Sequence, residues 1–153
     1  MTIDQDAPPA PILSTVQWIS VCISVRDLDD AVSWYTEQLG FAEVLRQDFP
    51  SLSAGLAYLR HGDLVIELVQ STPSAGVQRP APPLHAVLRG ISQLSLYVPD
   101  IHEALAAVKA KGLPIVMDLV EVPVIGVAAF FTQDPDGNLI EFHQADWAIR
   151  KEA

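Results

Sequence analysis

One cysteine, Cys22, stands in the 153 residues, which excludes an intrachain disulfide and fits a reducing compartment. Basic residues are scarce: 9 Lys and Arg against 19 Asp and Glu leave a net charge of −10. With no cluster of Lys and Arg, neither nucleic acid nor an anionic membrane surface is an expected partner. Long apolar runs are also missing. The longest, near Val122–Phe131, contains Pro123 and Gly126 and is too short to span a bilayer. No charged-then-apolar leader is visible, so no signal peptide is expected, and the expected location is the cytoplasm. What is abundant is apolar side chain, half of all residues, enough for one compact domain.

The chain repeats itself. Ser20-Val21-Cys22-Ile23-Ser24-Val25-Arg26-Asp27 is echoed by Gln93-Leu94-Ser95-Leu96-Tyr97-Val98-Pro99-Asp100, and the two Asp residues stand 73 positions apart (100 − 27). A repeat of this length means that each copy is one supersecondary unit. After Asp27 the apolar positions Leu28, Ala31, Val32, Tyr35 and Leu39 follow helical spacing, as do Ile101, Ala104, Leu105 and Val108 after Asp100. The pattern predicts helices over 28–39 and 101–111, N-capped by Asp27 and Asp100, with Glu103 at capping-box spacing. Gly40 and Gly112 sit where each helix should stop. Three strand-like segments follow each helix, at 41–48, 54–60 and 63–70, then at 114–122, 126–132 and 138–144. Turns at His61-Gly62 and at Asp134-Pro135-Asp136-Gly137 separate the last two of each set. Each half therefore reads β-α-β-β-β.

The last strand of each half carries one acid in an apolar setting: Glu67 beside Val65 and Val69, and Glu141 beside Leu139 and His143. Burying a carboxylate costs several kcal/mol unless it is paired, protonated or metal-bound. One such Glu reads as solvent-facing; two at equivalent repeat positions point to a shared site. The histidines contribute little in this reading. His61 falls in a turn, His85 between the halves and His102 in the first turn of a helix, while His143, on the face of Glu141, reads as a solvent-facing strand end. Cys22 reads as a small apolar lining residue, since no His is placed beside it by spacing.

These features resemble the vicinal oxygen chelate superfamily, which includes glyoxalases, bleomycin-resistance proteins and extradiol dioxygenases. The resemblance is carried by the two strand–Asp–helix openings, by Trp34-Tyr35 through Leu39-Gly40-Phe41, and by Asp134-Pro135-Asp136-Gly137-Asn138-Leu139-Ile140-Glu141. It covers roughly residues 18–144. It implies an α+β fold of two βαβββ modules in one chain, forming curved mixed sheets around a cup-shaped cavity, and a homodimer. The expected division is a flexible tail at 1–16, a first module at 17–70, a connector at 71–90, a second module at 91–146 and a C-terminal tail at 147–153. The connector permits the modules to pair within one chain or by exchange between two.

The resemblance also places metal-ligand positions at Ser20, Glu67, Gln93 and Glu141. Neither first-strand position is His, and neutral Ser20 is a poor ligand. The remaining set of Glu67, Gln93 and Glu141 is all oxygen and suits a hard divalent ion such as Mg or Mn better than Zn, Ni or Fe(II). The two-His, one-carboxylate pattern of an iron oxygenase is absent.

Glu67 and Glu141 are the expected catalytic pair. Facing each other, two carboxyls would serve as one acid and one base and move a proton next to a carbonyl of a small, largely apolar substrate, as in a glyoxalase- or epimerase-like lyase or isomerase. Ser20, Cys22, Val65, Gln93, Tyr97 and His143 are the expected substrate-binding residues, in a wall otherwise built from Val69, Leu139, Tyr58 and Phe131. The alternative is a non-catalytic protein that sequesters a small organic molecule, as antibiotic-resistance members do. A third reading is a cup filled by side chains.

Overall fold

The computed structural model describes Leu13 and residues 16–147. Of the two expected tails, only Leu13, Val16 and Trp147 are among them. The elements are β1 (Val21–Val25), α1 (Leu28–Leu39), β2 (Ala42–Phe49), β3 (Ala54–His61), β4 (Leu64–Ser71), β5 (Leu94–Tyr97), α2 (Ile101–Ala110), β6 (Met117–Val122), β7 (Val127–Gln133) and β8 (Leu139–Ala145). They form two four-stranded sheets, ordered β1-β4-β3-β2 and β5-β8-β7-β6. In each sheet the first strand runs parallel to the last and the other pairs are antiparallel. The fold is thus α+β, with the β-α-β-β-β order present twice. None of the described helices is long and apolar enough to cross a membrane.

The sequence signals act locally as their chemistry requires. Asp27 accepts the Asp30 N–H at 2.9 Å. Asp100 accepts the N–H groups of His102 and Glu103, both at 2.9 Å. Gly40 closes α1 in the left-handed region, φ 77°, where a side chain would be strained. The segment expected from 114 enters its sheet only at Met117: Pro114 has no N–H to donate, and Val116 makes the first bond, to Phe131 O at 2.9 Å.

A second repeat signal lies in the last strands. Glu67-Leu68-Val69-Gln70 matches Glu141-Phe142-His143-Gln144. Gln70 Oε1 accepts the Leu28 N–H, the first of α1, at 2.8 Å; Gln144 Oε1 accepts the Ile101 N–H, the first of α2, also at 2.8 Å. Each glutamine ties a helix start to the strand beneath it. Gln70→Ala and Gln144→Ala are each expected to lower the unfolding free energy by about 1–2 kcal/mol, through an unpaired part-buried N–H. Urea unfolding checks this; losses under about 0.3 kcal/mol would mean that water replaces the amide without penalty.

The two halves are not independent. Ile23, Val25, Leu28, Val32, Tyr35, Leu59, Ile66 and Leu68 form the first core, and Ile140 of the second half is buried within it, with Leu94, Leu96 and Phe142 packed against it. A smaller core gathers Ile101, Val108 and Phe130. The Tyr35 hydroxyl donates to Asp134 at 3.1 Å, and the Arg26 guanidinium pairs with Asp136 at 2.8 Å.

Candidate functional site

Strand alternation decides which face each acid takes. In β4, Ile66 and Leu68 are buried in the first core, so Glu67 points to the opposite face with Val65 and Val69. The register places Cys22 of β1 and Tyr58 of β3 on either side of Glu67. Burial first, then the Glu67 charge, pushes the Cys22 thiol up from its ordinary value. For the Tyr58 phenol the Glu67 charge comes first and burial second. This face is uncovered: Leu56, Tyr58, Val65, Glu67 and Val69 are only half-buried, and Leu45 of the edge strand is 51% exposed.

The second acid stands in the matching place on the other sheet. Ser95 and Phe131 flank Glu141 in register, as Cys22 and Tyr58 flank Glu67. Ser95 Oγ donates to Glu141 Oε2 at 2.5 Å, and the Gln93 amide reaches the same oxygen at 3.4 Å. Gln93 Oε1 is itself engaged by the Ser92 hydroxyl. His143 Nδ1 lies 3.7 Å from Glu141 Oε2. Tyr97, 50% exposed, stacks on the His143 ring at 4.8 Å and 18°.

Two histidine expectations are corrected. His143 does not face solvent: its side chain is 15% exposed, with Tyr97 lying flat on it, and among the described residues its Nε2 is buried without a partner. His85 is more than a connector residue. Its ring lies 5.2 Å from Phe131, tilted by 59°, and helps to cover that side chain, which is 3% exposed; among the described residues His85 Nδ1 is buried without a partner. Strand periodicity does not reach His85, since it sits in a 3-10 turn, Leu84–Val87, outside both modules. A better signal was Phe131 itself, a large apolar side chain on a cup face that needs a cover.

Of the expected site residues, Cys22 and Val65 lie with Glu67, and Gln93, Tyr97 and His143 lie with Glu141. Ser20 falls one residue before β1 and is exposed. The two sets keep separate partners. Cys22 and Gln93 do line one cavity of about 520 Å³, which lies against β1, the connector and the start of β8. Among the described residues no three His, Cys, Asp or Glu side chains gather into a group able to hold a metal ion. Within one chain Glu67 stands beside Cys22 and Tyr58, while Gln93 and Glu141 stand with Ser95, and the Gln93 amide oxygen is engaged by the Ser92 hydroxyl.

The raised thiol gives a direct check on the first row. At pH 8 Cys22 should react slowly with a disulfide reagent although it is exposed, because only the thiolate attacks. Burial remains in Glu67→Gln, but the second cause of the rise, the carboxylate charge, is gone, so labelling should be measurably faster. An unchanged rate would mean that Cys22 and Glu67 do not touch in solution.

A family model described as the glyoxalase/bleomycin resistance protein/dioxygenase superfamily matches residues 16–142. A probable lactoylglutathione lyase of Synechocystis sp. is 29% identical over 126 residues, 80% of this chain and 90% of that protein. A putative lactoylglutathione lyase of Brassica oleracea is 27% identical over 132 residues; the match takes 84% of this chain but only 44% of the plant protein, so the chain spans about half that relative's length. In structure it resembles the trypanothione-dependent glyoxalase I of Leishmania major, with a TM-score of 0.65 at 23% identity, covering 88% of this chain and 91% of that one.

Proposed function

The chain belongs to the glyoxalase/bleomycin resistance protein/dioxygenase superfamily, and from that footing we propose that it is a lyase or isomerase moving a proton next to a carbonyl of a small, largely apolar molecule. One observation carries this reading. Glu67 and Glu141 occupy equivalent positions in the repeat, each half-buried, with Cys22 and Tyr58 in register beside Glu67 and Ser95 hydrogen-bonded to Glu141 at 2.5 Å. A side chain fixed by its neighbours on a sheet face is positioned for proton transfer, as a general acid or base requires. The relatives' name, lactoylglutathione lyase, supports a thioester of a 2-hydroxy acid as the first substrate to try. Its formation from methylglyoxal and glutathione needs one carboxylate to take the proton from the carbon bearing the hydroxyl and sulfur. The same or the facing carboxyl then returns it to the neighbouring carbon.

The uncovered face around Glu67 supports a homodimer in which that face meets the Glu141 face of a second copy, so that each cup is built from two chains. Cys22 and Val65 form the apolar wall, while Gln93, Tyr97 and His143 bind and orient the substrate oxygen. In that assembly Glu67, Gln93 and Glu141 are the residues that would hold a hard divalent cation. A cation there supplies charge stabilisation to an enolate oxygen.

The test is formation of S-lactoylglutathione from methylglyoxal and glutathione, with NMR of a panel of 2-hydroxy and 2-oxo thioesters in D2O reporting exchange at the carbon next to the carbonyl. Exchange well above that of Glu67→Gln and Glu141→Gln supports the reading. Tight binding across the panel with no exchange would overturn it in favour of sequestration.

A further inference from the structure

The connector builds a cavity wall around a cation with no counter-charge. Arg79 Nη1 donates to His85 O at 3.2 Å and to Leu88 O at 3.0 Å, and its Nη2 donates to Ile91 O at 2.8 Å. Three neutral carbonyls fix the guanidinium in place and leave its full charge. Among the described residues no carboxylate pairs with it, and Nε–H and one Nη2–H have no protein acceptor. Arg79 lines the cavity of about 520 Å³, a volume suited to a small organic molecule. The cavity's other cation, Arg26, is paired with Asp136 at 2.8 Å. The walls are partly apolar, from Val21, Ile23, Leu94 and Leu139, with Gln93 as a polar group. In a chain of net charge −10, this is a place where fixed positive charge exceeds negative.

We propose that this cavity is a binding site for a small organic carboxylate, its apolar body against β1 and β8 and its anion on the free edge of Arg79. A guanidinium held on three sides loses little entropy when it takes a fourth partner, and its remaining N–H groups match a carboxylate fork. An apolar body distinguishes the ligand from a bare inorganic anion. Neither Glu67 nor Glu141 lines the cavity; of the residues given to the proposed reaction it shares Cys22 and Gln93.

The probes are 2-naphthoate, its neutral twin 2-naphthamide, and inorganic phosphate, titrated by calorimetry, with backbone amide shifts at Ser24 and Gln93 locating the site. The acid should bind at least about tenfold more tightly than the amide, and phosphate should show no measurable heat. Arg79→Gln should bring the acid down to the level of the amide, whereas Arg26→Gln should keep the preference. Because Arg79→Gln also removes the connector's carbonyl bonds, Ser24→Trp serves as a second variant. It fills the cavity from an exposed position on β1, leaves Arg79 untouched, and should expel acid and amide alike. Equal affinity for acid and amide, no binding of the acid, a preference that survives Arg79→Gln, or binding that survives Ser24→Trp would each overturn the site.

Discussion

Glu67→Gln and Glu141→Gln are each expected to lower kcat/KM for S-lactoylglutathione formation by about 10²- to 10⁴-fold, the range in which a positioned acid or base contributes. The amide keeps the size and one acceptor oxygen of the carboxylate, so Ser95 can still donate to position 141 and the packing beside Cys22 and Tyr58 is kept at position 67. Loss of the proton-carrying oxygen is then the main change, and kcat should fall far more than KM rises. Mixing the two inactive variants tests how the cup is assembled. If the face of Glu67 meets the face of Glu141 from a second copy, a mixed dimer contains one cup with both carboxylates and one with neither. Statistical exchange would then restore about one quarter of wild-type activity. If the cup closes within one chain, every cup in the mixture lacks one carboxylate and no activity returns. Full turnover by both single variants would remove the two glutamates from the chemistry altogether.

The reach of the sequence follows from the range of each interaction. Asp27 and Asp100 act within one turn of helix, so their spacing to the apolar positions predicts α1 and α2 almost to the residue. Glu67 and Glu141 could be placed on a face because strand alternation is a local property, whereas their in-register neighbours, Cys22 and Tyr58 beside one and Ser95 and Phe131 beside the other, depend on strand pairing and came from the structure. What lay beyond reach depends on how separate pieces meet. No periodicity predicts that His85 lies against Phe131, or that Arg79 gathers three carbonyls from residues 85 to 91, because those contacts are made by a connector outside the strands and helices of the repeat. Gln70 and Gln144 were legible in principle: the repeat shows both, and a polar residue at matched positions of an apolar strand needs a partner. Burial of His143 was not legible, since the alternation that puts it beside Glu141 says nothing of Tyr97 lying across its ring.

Asp134→Ala should be the most destabilising single substitution outside the apolar core, at about 3–5 kcal/mol, with a melting temperature lower by roughly 10 °C. Asp134 is 3% exposed and meets four donors. Its Oδ2 accepts the Tyr35 hydroxyl at 3.1 Å and the Asn138 amide at 2.8 Å, and its Oδ1 accepts the N–H groups of Asp136 at 3.0 Å and Asn138 at 2.8 Å. Alanine strands all four and releases the turn before β8 from α1. Tyr35→Phe removes one donor and leaves the carboxylate three, so its cost should be only about 1–2 kcal/mol. Burial pushes the Asp134 carboxyl up from its ordinary value, while its bonds from Asn138, Tyr35 and Asp136 pull it back in part. The folded state therefore holds this proton more tightly than the unfolded chain. The stabilisation linked to that proton is complete below the unfolded carboxyl value of about 4 and is lost as pH rises through the folded one. Asp134→Asn cannot titrate, so the wild type's advantage over it should be larger in acid and shrink toward neutrality, in paired urea titrations across that range. A pH-independent difference would mean that the carboxyl titrates alike in both states, and a melting point within about 2 °C of wild type for Asp134→Ala would mean that water enters the turn and satisfies the stranded donors.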